Sequence, residues 1–257
     1  MQILKLGGSV ITHKDEYFSP DLENIKRLAD EIKESSNDSL IIIHGAGSFG
    51  HPVAKKHSIS DGLKNKEQLI GFSETHQSMT RLNQIIVDTL LEAGVPAFGV
   101  SASSMLVTKG QRLVDIDLKI IKQLLDTGLV PVMYGDAVLD SEQGFAILSG
   151  DQLITRLAIE LKTERVIFGS DVDGIFTSNP KLNSDAVLIK EVSLNNMTAD
   201  VGDTTFTDVT GGMMGKLTEA EEAVKAGTEV IFLNANAKDR VRMALKGEKV
   251  MGTLLIM

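Results

Sequence analysis

Short apolar runs alternate along the chain with longer segments in which apolar side chains recur every three or four residues. The runs predict buried strands, and the longer segments predict helices that turn one face to a core. The predicted strands are Ile3–Leu6, Leu40–Ile43, Ala97–Val100, Val130–Met133, Val166–Phe168 and Val230–Leu233. The predicted helices are Asp21–Glu34, Glu67–Ala93, Leu118–Asp126, Gln152–Leu161, Lys216–Ala226 and Asp239–Leu245. This alternation indicates βαβ units, and therefore an α/β fold with a mainly parallel sheet flanked by helices.

Two further segments complete the pattern. Ala137–Ile147, with turn-forming residues at its centre, predicts an antiparallel hairpin, and Met251–Ile256 predicts a final strand. The sequence shows no internal repeat, low-complexity tract or flexible linker, so we expect residues 1–257 to form a single domain. Open α/β sheets bind ligands outside the carboxyl ends of their strands, and we expect the chemistry there.

Composition narrows the classes of function. Two features argue against nucleic acid as a partner. The net charge is −9, whereas proteins that bind the phosphate backbone present a basic stripe. Only 4% of the residues are aromatic, whereas single-stranded bases stack on exposed aromatic rings. Without cysteine there is no disulfide, thiolate zinc site or cysteine nucleophile. The first residues do not resemble a signal peptide, and no apolar run approaches the roughly 20 residues that span a bilayer. We expect a cytoplasmic protein with no membrane partner.

The first glycine loop, Lys5–Ser9, follows the first predicted strand, and Lys14 lies a few residues beyond it. Gly7 and Gly8 allow the backbone to approach a phosphate closely, and Lys5 supplies a positive charge. A tight turn after an edge strand explains the two glycines equally well, so this loop alone leaves both interpretations open.

The second loop spans His44–His51 and contains Gly45, Gly47 and Gly50 at the G-x-G-x-x-G spacing of dinucleotide-binding folds. The match to a nicotinamide dehydrogenase is weak, because the loop follows the second strand and no acidic residue lies at the ribose-binding distance. We expect His51 and Pro52 to open a helix whose free amides and imidazole bind an anion. The alternative role for His51 is a surface capping residue.

Three later loops carry charged residues. Asp151 follows Ser149-Gly150 at the start of a predicted helix, where the helix dipole alone favours an acid. Asp171 and Asp173 lie in a loop that partly matches a calcium-binding motif but is better suited to receive a ribose or adenine. Asp208–Lys216 ends in Gly-Lys without the spacing of a Walker A motif, and Lys216 is either a solvated helix-start lysine or one that meets an anion.

In their order along the chain, these loops resemble those of the amino acid kinase superfamily. The resemblance covers nearly the whole chain through Lys5–Ser9, Tyr134–Asp136, Ser149–Asp151, Ser170–Gly174 and Asp208–Lys216. It implies a three-layer α/β/α sandwich with an open, mainly parallel sheet and phosphoryl transfer from Mg²⁺-ATP to a small acceptor. It also implies an acceptor-binding lobe of about residues 1–160 and an ATP-binding lobe of about residues 161–257. A homodimer is expected by this analogy alone.

Within the superfamily, the chain most resembles the archaeal isopentenyl phosphate kinases, through Ser48-Phe49-Gly50-His51 and Ile11-Thr12-His13-Lys14. In that family the histidine contacts the acceptor phosphate. The resemblance implies phosphorylation of isopentenyl phosphate to isopentenyl diphosphate, a step of isoprenoid synthesis in a variant mevalonate pathway. Such an acceptor oxygen is already ionised, so His51 is expected to donate a hydrogen bond and not to act as a base.

The resemblance also implies a role for each matching residue. Lys5 and Lys216 bridge the transferring phosphoryl group, and Lys14 holds phosphate oxygens. Asp151 orients the lysines, and His51 binds the acceptor. Further implied residues of the ATP site are Gly7, Gly8, Ser9, Gly47, Asp171, Asp173 and Gly212. Further implied residues of the acceptor site are Ala46, Gly50 and Gly150. No residue is marked as a metal ligand, so the phosphates are expected to hold Mg²⁺.

Other functions remain open at this point. The acceptor could instead be an amino-acid carboxylate, a nucleoside monophosphate or a phosphonate, or the fold could serve a non-catalytic nucleotide sensor. The presence of both Lys5 and Lys216 argues against the sensor. Gln152 stands where some superfamily members have a second acid. The apolar stripe of Glu67–Ala93 is a candidate wall for a five-carbon tail, although such a stripe more often packs in a core.

Overall fold

The computed structural model describes residues 1–36, 39–194 and 211–257. The described strands are β1 (Gln2–Leu6), β2 (Leu40–His44), β3 (Ala97–Gly99), β4 (Leu106–Lys109), β5 (Arg112–Ile116), β6 (Val130–Tyr134), β7 (Asp136–Asp140), β8 (Gly144–Leu148), β9 (Arg165–Ser170), β10 (Ile175–Phe176), β11 (Leu188–Ile189), β12 (Glu191–Ser193), β13 (Glu229–Asn234) and β14 (Thr253–Ile256). The described helices are α1 (Gly8–Ile11), α2 (Leu22–Ser35), α3 (Gly47–Lys56), α4 (Gln68–Glu92), α5 (Lys119–Asp126), α6 (Gly150–Leu161), α7 (Gly211–Lys225) and α8 (Arg240–Leu245).

Eight of the described strands form the central sheet, in the order β12-β14-β13-β9-β1-β2-β6-β3. The six strands from β13 to β3 pair in parallel, whereas β14 pairs antiparallel with β13 and in parallel with β12. The sheet is therefore mainly parallel and open, as the sequence predicts. Its strands β1, β2 and β9 lie at the centre, so the loops that follow them meet at one edge of the sheet.

Two apolar cores cover the two faces of this sheet. Successive residues of a strand point to opposite faces, so Ile3 packs in one core and Leu4 in the other. The Ile3 core includes α6 and α7 through Leu157 and Leu217, among others. The Leu4 core includes α2, α4 and α8, for example through Leu28. Helices on both faces make the predicted three-layer α/β/α sandwich, and that prediction is confirmed.

A smaller sheet of four strands, in the order β5-β4-β7-β8, lies beside the main one. Ala137 pairs with Ile147 in the antiparallel β7–β8 pair, so the predicted hairpin is confirmed. Asp140 supports its turn, because the carboxylate accepts hydrogen bonds from the amides of Gln111, Glu142 and Gln143 at 2.8 to 3.0 Å. No described helix has the length and apolar character needed to cross a membrane.

The short elements α1, β10, β11 and β12 were not predicted from the sequence. Two further departures involve the helix after β2 and the β4–β5 hairpin. The helix after β2 begins at Gly47, not at His51, so Pro52 lies inside it and not in its first turn. The β4–β5 hairpin was not predicted at all. Its strand β5 has no fully buried residue in Arg112–Ile116, and so it lacks the apolar run that marks the central strands.

Candidate active site

A cavity of about 750 Å³ lies at the carboxyl ends of the central strands. Its volume falls in the range of small-molecule binding sites. Glycine loops form one side of it, and helices α3, α4 and α7 contribute the others. The predicted site residues that line it are Lys5, Gly7, Gly8, Ser9, Lys14, Ala46, Gly47, Gly50, His51, Gly150, Asp151, Asp171 and Lys216. The fold thus brings together side chains that are up to 211 positions apart in the sequence.

The first two glycine loops interlock, backbone against backbone. A Cβ atom on Gly8 would lie 2.4 Å from the Gly47 nitrogen, and one on Gly45 would lie 2.6 Å from the Gly8 nitrogen. Gly47 also has φ +48°, a conformation that L residues rarely adopt. These positions therefore need glycine for close approach between loops, whether or not a ligand is bound.

Helix α3 holds the loop that carries Lys14. Pro52 has no N–H, so the carbonyl of Ser48 one turn earlier lacks its helical donor. The Phe18 amide donates to that carbonyl at 3.3 Å instead. The Ser48 hydroxyl accepts from the Ser19 amide at 3.2 Å, and the Ser48 amide donates to the Thr12 hydroxyl at 3.0 Å. The loop between α1 and α2 is thereby fastened to the helix that presents His51.

Lys5 and Asp151 form an ion pair at the bottom of the cavity. Lys5 ends up buried because β1 is the middle strand of the sheet, and Asp151 lies in the first turn of α6, which Ser149 caps by accepting from the Gln152 amide at 3.1 Å. Burial lowers the pKa of Lys5, and the charge of Lys216 lowers it further, while Asp151 opposes both effects. Asp151 therefore favours the charged form of Lys5, which burial in the sheet disfavours.

His51 projects from the second turn of α3 into the same cavity. Burial lowers its pKa, and the charges of Lys5 and Lys216 lower it further. The imidazole is therefore neutral at pH 7 before any anion binds, and it can donate only one ring N–H.

At the mouth of the cavity, one carboxylate is shared by two lysines. Lys14 donates to Asp171 Oδ2 at 3.2 Å, and Lys181 pairs with the same oxygen at 2.5 Å. Burial by itself would raise the pKa of Asp171, but the hydrogen bond from Lys181, the charge of Lys14 and the hydroxyl of Ser9 together lower it to about 2. Asp171 is thus ionised at neutral pH and brings together cations from two separate loops.

Two predicted residues of the nucleotide site are not among the described residues that line the cavity. The Asp173 carboxylate accepts from Asn234 at 3.1 Å and pairs with Arg240 at 2.5 Å. Gly212 belongs to the first turn of α7, and its surroundings lie outside the described part of the chain. Asp208, at the start of the same predicted loop, lies outside it as well.

Apolar residues of α3, α4 and β8 also line the cavity. They are Pro52 and Ala54 on α3, Met79 on α4 and Ile147 on β8. Of the apolar stripe on α4, Met79 lines the cavity, whereas Ile86 packs in the core, Ile70 is 65% exposed and Phe72 stacks on Phe145. Most of that stripe therefore serves packing or faces solvent.

The carboxylates at the cavity already have partners. Asp136 accepts from His76 at 2.7 Å and from the Ala137 amide at 2.8 Å, and Asp151 and Asp171 pair with lysines. In the part of the chain that the structure describes, no group of three His, Cys, Asp or Glu side chains is placed to hold a metal ion.

Comparison with known proteins agrees with this geometry. The sequence profile of the amino acid kinase family matches residues 1–234. The isopentenyl phosphate kinase of Methanothermobacter thermautotrophicus is 43% identical to this chain over 98% of both sequences. The isopentenyl phosphate kinase of Arabidopsis thaliana is 33% identical, over 96% of this chain and 90% of its own.

A solved structure of an isopentenyl phosphate kinase substrate complex superposes with a TM-score of 0.83 at 30% identity, covering 99% of this chain and 100% of its own. The chain belongs to the amino acid kinase family. Its glycine loops and the cavity they enclose are accordingly those of an amino acid kinase family member, and the family resemblance stated from the sequence is confirmed.

Sequence reasoning missed two groups at the site of this amino acid kinase family member. Lys181 follows Asn179-Pro180 in a loop that no motif distinguishes, and only the fold brings it to Asp171. His76 lies on a polar stretch of α4, and its hydrogen bond to the buried carboxylate of Asp136 raises its pKa. The quoted segment Tyr134–Asp136 contains the acid, but nothing in the sequence indicates its histidine partner.

Proposed function

We propose that this chain transfers the γ-phosphoryl group of ATP to isopentenyl phosphate. The observation that carries the proposal is that one cavity is lined by two kinds of group. Three lysines, His51 and glycine-loop amides can bind phosphates, and Met79 and Ile147 offer apolar surface. A small phosphate monoester with a branched hydrocarbon tail matches both kinds of group. The 43% identity to an isopentenyl phosphate kinase over 98% of both sequences supports the same acceptor.

The chief obstacle to this reaction is repulsion between two anions. Like charges about 4 Å apart repel by roughly 4 kcal/mol per pair at an effective dielectric near 20. Lys5, Lys14 and Lys216 line the cavity in which the acceptor would approach the triphosphate, and they offset this repulsion. The acceptor oxygen is already ionised, so no side chain has to remove a proton from it. The catalytic contribution of the chain is then positioning and charge neutralisation.

The roles follow from position and charge state. Lys5, fixed by Asp151 at the bottom of the cavity, and Lys216, close enough to affect its pKa, contact the transferring phosphoryl group. His51, neutral at pH 7, donates its ring N–H to the acceptor phosphate. Gly8, Ser9 and Gly47 offer backbone amides to the nucleotide phosphates, whereas the Gly7 amide donates to the Gly169 carbonyl at 2.9 Å.

Magnesium fits this site as part of the nucleotide. Asp136, Asp151 and Asp171 accept from cations or N–H groups, and no group of three acidic or histidine side chains among the described residues is placed to hold an ion. Oxygens of the β- and γ-phosphates would therefore hold Mg²⁺, completed by water, as is usual for this ion. Bound there, Mg²⁺ neutralises phosphate charge.

The test is ADP release by the purified protein with Mg²⁺-ATP and a panel of acceptors. The panel contains isopentenyl phosphate, dimethylallyl phosphate, fosfomycin, UMP, glutamate, aspartate and acetylglutamate. We expect the highest kcat/KM with isopentenyl phosphate. A higher kcat/KM with fosfomycin, UMP or an amino acid would overturn the proposed acceptor but not the proposed kinase activity. ATP binding without turnover of any acceptor would instead support a nucleotide sensor.

The role of Lys216 has its own test, with a matched lysine on the same helix. Lys216→Ala removes a cavity charge, and Lys225→Ala removes a half-exposed charge paired with Glu221. Loss of a contact made mainly in the transition state should lower kcat about 100-fold or more with a smaller change in the acceptor KM. Lys225→Ala should stay near wild type. A raised KM with unchanged kcat for Lys216→Ala would contradict its assignment to the transition state.

A further inference from the structure

Helix α6, which carries Asp151, and helix α7, which carries Lys216, meet again outside the cavity, at the β4–β5 hairpin. Gln152, the residue after Asp151, holds the backbone of this hairpin on both sides of Arg112. Its Nε2 donates to the Gln111 carbonyl at 3.2 Å, and its Oε1 accepts from the Leu113 amide. The start of α6, which holds Lys5 through Asp151, is therefore tied to the hairpin.

Arg112, between those two residues, reaches the helix that carries Lys216. Its guanidinium forms a two-pronged ion pair with Glu219 on α7, through Nη1 to Oε1 and through Nη2 to Oε2 at 3.3 Å. The Glu219 side chain is only 12% exposed, whereas that of Arg112 is 62% exposed. The Thr155 hydroxyl on α6 also donates to the Glu219 carbonyl at 2.8 Å. The hairpin, α6 and α7 thus form one closed set of contacts.

Glu219 lies three residues after Lys216 on α7, and side chains three apart are neighbours on a helix surface. A largely buried carboxylate without a partner is unfavourable, and it attracts the nearest cation. Arg112 now fills that place. Glu222, the other acid near Arg112, is 55% exposed and is paired with Lys225, so it competes less strongly for Lys216.

We propose that Arg112 is a positioning residue for Lys216: by pairing with Glu219 it fixes α7 against the hairpin and prevents Glu219 from drawing the Lys216 ammonium away from the cavity. The inference rests on the proposed phosphoryl transfer, in which Lys216 acts. It assigns a role to two residues that do not line the cavity, and it links the hairpin to the helix that carries Lys216.

The proposal makes a specific prediction about two variants. Arg112→Ala leaves Glu219 free to pair with Lys216, so kcat should fall about 10-fold or more while the KM values for ATP and acceptor change little. Adding Glu219→Gln removes the competing carboxylate, so Arg112→Ala/Glu219→Gln should recover most of the lost kcat. A purely structural role would predict the opposite, because the double variant loses both partners of the contact.

The matched control is Arg165→Ala. Arg165 pairs with Glu229 where β9 and β13 begin, at the edge of the sheet opposite the cavity. It should leave kcat near wild type. Arg112→Ala with wild-type kcat, or a double variant no faster than Arg112→Ala, would overturn the proposal. Wild-type protein without turnover would instead overturn the proposed function. The positioning of Lys216 by Arg112 would then be tested by a second measurement.

That second measurement needs no turnover. Reductive methylation with ¹³C-formaldehyde gives each lysine an NMR signal, and Lys216→Arg identifies the one from Lys216. A new carboxylate neighbour changes the electrostatic environment of the ammonium, so the Lys216 signal should move in Arg112→Ala and return towards its wild-type chemical shift in the double variant. An unchanged Lys216 signal in Arg112→Ala would refute the capture by Glu219.

Discussion

Substitution of Gly8 by alanine tests the interlocked glycine loops directly. The added Cβ would lie 2.4 Å from the Gly47 nitrogen and 2.7 Å from the Gly47 Cα. Both atoms belong to the backbone, so no side chain can rotate away. Ordinary contact begins at 3.4 Å, and the two loops would therefore have to separate by about 1 Å.

That displacement allows both consequences to be estimated. Forcing a methyl group into a packed interior costs about 1–3 kcal/mol of unfolding free energy. A shift of about 1 Å in a positioning loop lowers the rate roughly 100-fold, because the amides and Lys5 no longer align with the phosphates. We expect Gly8→Ala to show both effects together.

The assays are ADP release with isopentenyl phosphate and urea unfolding. The matched control is Gly215→Ala, since Gly215 lies in helix α7, next to Lys216, and no atom of the described residues lies within 4 Å of its added Cβ. Alanine is a better helix former than glycine by about 1 kcal/mol, so this variant should be slightly more stable and fully active. A Gly8→Ala protein with more than a third of wild-type turnover would refute the reasoning from loop contact.

Three further predictions concern charged groups. Asp151→Asn leaves the buried Lys5 ammonium without its carboxylate, so urea unfolding should show a loss of about 3 kcal/mol; an unchanged unfolding curve would contradict the pairing. Because the pKa of His51 is lowered and its ring is neutral at pH 7, His51→Gln, which keeps an N–H donor, should retain more kcat/KM than His51→Leu, and equal losses would argue against donation. Burial alone would raise the pKa of Asp140, but amide donors and the Thr108 hydroxyl hold it below its unfolded value of about 3.9. Asp140→Asn should therefore cost about 2 kcal/mol at pH 7 and progressively less below pH 4, and a cost independent of pH would contradict this.

The central sheet could be predicted from the sequence because its strands are covered on both faces. Leu40–His44 is buried at every position, and its first four residues are visible in the sequence as a continuous apolar run. Arg112–Ile116 in the hairpin is also a β-strand, but its residues are exposed or only partly buried. Its position depends on contacts made by Gln152 and Glu219, which no local pattern indicates.

The residues of the candidate site also fall into those that the sequence indicates and those that only the fold brings together. Lys5, Lys14 and Lys216 could be selected because glycines near them imply close approach of backbone to an anion. Lys181 could not be selected, since its role depends on the carboxylate of Asp171, ten residues earlier, which only the fold brings close to it. The predicted start of helix α3, at His51, lies too far along the chain. Its true start, at Gly47, has a positive φ and no apolar periodicity that would mark it in the sequence.

The proline inside α3 has a consequence for attempts to stabilise this protein. Pro52→Ala would be an obvious choice by helix propensity, since it gives α3 back a hydrogen bond. The carbonyl of Ser48 would then be occupied by its own helix, and the Phe18 amide would lose its acceptor. A gain in melting temperature would thus come with a looser Lys14 loop. A defect in one element serves as the attachment point of another, and stabilising designs should leave it in place.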